Sequence, residues 1–165
     1  MSKKVPRMAL MVALAMIFSY VEALIPINFG LPGMKLGLAN LVVVIGLYLF
    51  PVGEIFLISM IRILLVGVLF GNGTSIIYSL AGGILSFLVM YAIKHIKGFS
   101  IAGVSIAGGV SHNIGQIAAA AFLLENIKIV YYLPVLLVSG AVTGLIIGVL
   151  AGRIIPVIRR TGYVD

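Results

Sequence analysis

The chain has 165 residues, 62% of them hydrophobic and 9% charged, with 11 Lys+Arg against 4 Asp+Glu. A soluble domain carries roughly a quarter charged residues, so this chain has too few to cover a water-facing surface; an ordinary soluble enzyme, a disordered protein and a nucleic-acid module are excluded. With no cysteine, disulfides, thiolate metal sites and cysteine-held iron–sulfur clusters are excluded as well.

The remaining class is an integral membrane protein. A bilayer core about 30 Å thick needs roughly 20 apolar residues per helix. Six segments qualify in chain order, at about 7–25, 37–50, 53–71, 75–94, 100–123 and 131–157, within a single membrane domain of residues 1–165. Pro26, Pro32-Gly33, Pro51, Gly71-Asn72-Gly73, the 94–98 basic run and Glu125-Asn126 separate them, and these are loop-forming residues. The first segment follows Lys3, Lys4 and Arg7 but lacks a clear small-residue cleavage site. It reads as a retained helix rather than a signal peptide.

Basic residues set the expected orientation. With the N-terminus inside, Lys3, Lys4, Arg7, Lys94, Lys97, Arg153, Arg159 and Arg160 are cytoplasmic, and only Lys35 and Lys128 lie outside. The expectation is an all-α bundle of six transmembrane helices, both termini cytoplasmic, in the cytoplasmic membrane. Membrane lipid surrounds it, and no nucleic-acid partner is expected.

Small residues mark close helix packing. Gly140, Gly144, Gly148 and Gly152 recur every four residues in the last segment, so they share one helix face. That face suits packing inside the bundle, or a homodimer or partner interface. Ala9 and Ala13 form a shorter pair in the first helix.

Three groups of polar residues stand out in so apolar a chain. Arg62 lies near the middle of the third span, where a charge costs at least ~2.5–3.5 kcal/mol and demands water, a partner or a ligand. It either bonds to helix carbonyls and Glu22, or holds an anionic or carbonyl-rich ligand. His112, Asn113 and Gln116 lie on neighbouring faces of the fifth helix, as interhelical ties or as ligand donors. No metal is expected, since the only other histidine is His95 in a loop. Glu22, Lys35, Asn40, Asn72 and Tyr78 fall toward the outer side. A cavity opening outward, with Arg62 and His112 as its floor, accounts for all of these residues. Otherwise they are wet loop positions and an interfacial tyrosine.

The string PGMKLGLAN (Pro32 to Asn40), Arg62, the runs LFGNG and YSLAGG, SHNIGQ in helix five and YYLP opening helix six carry a family likeness. Together they make the chain resemble the Gx transporter family, also labelled heptaprenyl diphosphate synthase component I. That family is similar to the substrate-binding S components of energy-coupling-factor transporters, and the likeness runs from about residue 8 to 155. It implies six helices, an outward pocket for a small-molecule ligand, and an energy-coupling transmembrane protein with ATPases as partners. Ala9 and Ala13 match the AxxxA-like face by which S components engage the coupling protein.

The two labels imply different activities. A prenyltransferase holds magnesium and diphosphate on aspartate-rich motifs, whereas this chain has one aspartate, Asp165. The expectation is a non-catalytic protein, with an accessory membrane subunit of the synthase as the alternative. There is no GxxxxGK[ST] phosphate loop, so ATP-driven work needs other chains. No cofactor is expected. A third reading is a membrane flavoprotein, because Ser139-Gly140-Ala141-Val142-Thr143 resembles the SGAT-type site of covalent flavin mononucleotide (FMN), although Val142 interrupts that pattern and the usual upstream Asp is missing.

Overall fold

A computed structural model describes residues 4–24 and 38–161. These form six helices: α1 (Lys4–Leu24), α2 (Asn40–Leu49), α3 (Val52–Phe70), α4 (Gly73–Lys94), α5 (Ile101–Leu123) and α6 (Leu133–Arg160). A 3-10 segment, Ile127–Tyr132, precedes α6. It takes in the start of the span expected from residue 131. Pro134 then lies in the first turn of α6, where its missing N–H costs nothing. Among the described residues there is no strand.

The chain is a multi-pass membrane protein. Four stretches are long and apolar enough to cross a bilayer: Val5–Glu22, Val52–Phe70, Gly73–Lys94 and Ile127–Arg160. Leu10 and Ile17 on α1, Leu57 and Val68 on α3, Leu88 on α4 and Val138 and Leu145 on α6 are exposed. That much outward apolar surface fits acyl chains rather than water. The 23-residue α5 is not among the four; it carries Ser111, His112, Asn113 and Gln116 in its interior.

α2 departs most from expectation. It has 10 residues, beginning at Asn40, where the sequence suggested about 14. Leu41 to Leu47 are buried without a break, as befits a helix apolar on every side. Val44 and Leu47 meet Ile55 of α3, Met90 of α4, Val104 of α5 and Ile147 and Ala151 of α6 in one core. Cations gather at its C-terminus. Lys94 Nζ donates to Leu47 O at 2.5 Å and Arg159 Nη2 to Tyr48 O at 3.3 Å. Lys94 Nζ also lies 5.2 Å from the Tyr48 ring centre. Positive groups there satisfy terminal carbonyls and complement the helix dipole. Ten residues rise only about 15 Å, roughly half the hydrocarbon thickness. α2 therefore fills the half of the bundle next to the α2–α3 turn and stops part way across.

α5 is clasped between α4 and α6. A β-carbon on Gly140 would stand 2.6 Å from Gly109 O, one on Gly144 2.7 Å from Ile106 Cα, and one on Gly148 2.5 Å from Ala102 Cα. Three of the four ladder glycines thus press α6 onto α5, while Gly152 faces open space. On the other side, a β-carbon on Gly115 would stand 2.8 Å from Ala81 O, and Ser86 Oγ donates to Gly108 O at 2.8 Å. Lipid offers no hydrophobic drive for helix association, so close backbone packing and such bonds supply it.

Candidate functional site

At the N-terminus of α2 the described helices line a cavity of about 90 Å³. At roughly 10–15 Å³ per water centre, it holds several waters or a small molecule. The exposed Gly71 forms part of its rim, so it opens where α3 turns into α4.

The walls come from all six helices. α1 contributes Ser19 and Glu22, three apart and so on one face; both are buried. α2 contributes Asn40, its first residue, and α3 contributes Arg62 with Ile63, Val66 and Gly67. Asn40 and Arg62 each stand eleven residues from Pro51 in the α2–α3 turn. At 1.5 Å per residue both lie about 16 Å above it, at one level. The positive end of the α2 dipole thus meets the cavity at the level of Arg62.

α4 lines the cavity with Ser75 and Ser79, and α5 with Gly109, His112, Asn113 and Gln116. Gly82 of α4 makes room for the last group: a β-carbon there would stand 2.7 Å from His112 O and 2.8 Å from Gln116 Cγ. α6 closes the wall with Ser139, Gly140, Thr143, Gly144 and Ile147. Thr143 Oγ1 donates back to Ser139 O at 3.0 Å and to Gly140 O at 3.3 Å, so the hydroxyl of the flavin-like string is already engaged.

Polar side chains at this depth carry the functional signal. Glu22 is close enough to act on the charge of Arg62. Even so, Arg62 Nε is buried without a hydrogen-bond partner, and so is Ser19 Oγ. Leaving such groups unpaired costs about 1–3 kcal/mol each, more when charged, so both atoms invite a ligand or water. Asn113 differs, since its Nδ2 donates to Leu136 O at 2.6 Å and ties α5 to α6.

Six of the nine residues singled out as ligand contacts, Glu22, Asn40, Arg62, His112, Asn113 and Gln116, therefore line one cavity. Lys35 lies outside the described residues. Asn72 and Tyr78 are not part of the lining. Asn72 caps α4 instead: its Oδ1 accepts from Ser75 N and Thr74 Oγ1, each at 2.8 Å, and Asn72 N donates to Ser75 Oγ at 2.9 Å. Tyr78 sits on α4 between Ser75 and Ser79, the two residues that do face the cavity. The hydroxyls at Ser19, Ser75 and Ser79 escaped the sequence reading, and Ser139 and Thr143 entered it only through the flavin-like string. Their signal is the spacing of three or four that puts each on the face of another wall residue. Ala9 and Ala13 are exposed on α1. Among the described residues, no group of three His, Cys, Asp or Glu could hold a metal.

Neither a curated protein nor a solved structure matches the chain. The family described as heptaprenyl diphosphate synthase component I matches residues 11–154. That span runs from α1 into α6 and takes in every described wall of the cavity, and the chain belongs to the heptaprenyl diphosphate synthase component I family.

Proposed function

We propose that the protein is a substrate-binding membrane subunit for uptake of a small molecule, which it holds in this cavity without chemical change. The observation that carries this reading is Arg62, a midplane cation that lines an open recess with its Nε buried and unpartnered. A charge at that depth costs at least ~2.5–3.5 kcal/mol to insert, and the neighbouring Glu22 still leaves Nε unsatisfied. The bias of Lys and Arg toward the opposite end supports a cavity mouth on the outer side of the membrane. Without a phosphate loop in the chain, a separate coupling protein and its ATPases drive transport. Native mass spectrometry of gently purified protein tests the reading. One bound small molecule is expected, lost in Arg62→Met, together with co-purifying ATPase subunits. A ligand-free protein whose Arg62→Met variant behaves identically overturns it.

The family description favours a second reading, an accessory membrane subunit of heptaprenyl diphosphate synthase. With Asp165 its single aspartate, the chain would serve a catalytic partner rather than hold magnesium diphosphate itself. Co-purification of a soluble prenyltransferase whose activity requires this chain would establish that reading. A bound FMN would instead establish the flavoprotein.

A further inference from the structure

Arg62 and Glu22 bring opposite charges to one cavity, and no other Asp, Glu, Lys or Arg is among its described lining residues. With a neutral His112 the formal charge of these walls is zero. Low-dielectric surroundings penalise any imbalance added to them. A simple anion would satisfy Arg62 but crowd the Glu22 carboxylate, and a simple cation would do the reverse. A ligand carrying both charges offers a partner to each and adds no net charge to these walls.

Position agrees with this. Arg62 and the N-terminus of α2, at Asn40, bring positive charge to the cavity at one level. Glu22 and the unpartnered Ser19 Oγ, one helical turn apart on α1, bring acceptor oxygens to the same cavity. The cavity of about 90 Å³ has no Phe, Tyr or Trp among its described lining residues, so these walls offer charge and hydrogen bonds rather than ring stacking.

On the binding-subunit reading above, we propose that the cavity takes a small zwitterion of the amino-acid type, its anionic group at Arg62 and its ammonium at Glu22 and Ser19. The test uses the full chain in mild detergent, following thermal unfolding with small α-amino acids and their single-charge counterparts; alanine, for example, is matched with propionate and ethylamine. The expected result is saturable stabilisation by an amino acid, with each counterpart about tenfold weaker or worse. Glu22→Gln weakens the amino acid but not the carboxylate, and Arg62→Met abolishes carboxylate binding. The wild-type comparison stands even where a variant fails to fold. Propionate binding as well as alanine, or a native ligand of single charge by mass spectrometry, overturns the zwitterion and leaves the binding subunit standing. A cavity that takes no small molecule of any kind removes both.

Discussion

Asn113 reaches from α5 to α6 and donates its Nδ2 to Leu136 O at 2.6 Å. The same side chain lines the cavity, so one residue serves as both wall and clamp. Interhelical bonds of this kind contribute on average ~0.6 and at most ~1.7 kcal/mol. Asn113→Ala is expected to lower stability by that amount in detergent unfolding. Gln116→Ala, one turn along, is expected to leave the unfolding midpoint near wild type and weaken ligand binding.

Arg62 has a double role that a mutant cycle separates. Arg62→Met removes the ligand's positive contact and is expected to weaken binding by at least about tenfold, ~1.4 kcal/mol. Lysine recovers only part, because its point charge does not reproduce the planar guanidinium fork. Arg62→Met also leaves the buried Glu22 without its neighbouring cation, so stability falls, and adding Glu22→Gln restores it. Additive stability losses across the cycle would show that the two residues do not interact.

The glycine ladder of α6 divides by position. Gly140→Ala and Gly144→Ala push a β-carbon against the backbone of α5 and are expected to cost ~1–3 kcal/mol. Gly152→Ala meets open space and is expected to be neutral or stabilising by up to ~1 kcal/mol, through helix propensity alone. Equal losses at all three would place an unseen partner against Gly152.

Orientation is testable with an impermeant amine reagent on intact cells. Lys97 and Lys128 are the proper reporters, because both are exposed. Lys94 is unsuitable, since its Nζ is bonded to Leu47 O. Labelling of Lys128 with protection of Lys97 is expected; the reverse would turn the cavity mouth to the cytoplasm.

Asn72 is expected to behave as a cap alone. Asn72→Ala removes the acceptor for Ser75 N and Thr74 Oγ1 and should cost ~1 kcal/mol of stability. Ligand affinity should stay unchanged; a parallel loss of binding would return Asn72 to the site.

The sequence by itself determined the membrane class, the six helices and most of their ends, because a bilayer tolerates only long apolar stretches and Pro, Gly and Asn interrupt them. Arg62, His112 and Gln116 were legible for the same reason: a polar group at such depth needs a purpose. What only the tertiary structure decided is rotation and depth. Periodicity along α4 did not show that Ser75 and Ser79, rather than Tyr78, face inward, because the neighbouring helices set that angle. Nor did spacing separate Gly140 and Gly144 from Gly152, since contact depends on where α5 lies beside α6. The cavity itself follows from α2. A ten-residue helix sealed by Lys94 and Arg159 at one end covers only about half the bilayer, and its first residue, Asn40, meets the cavity that the five longer helices line.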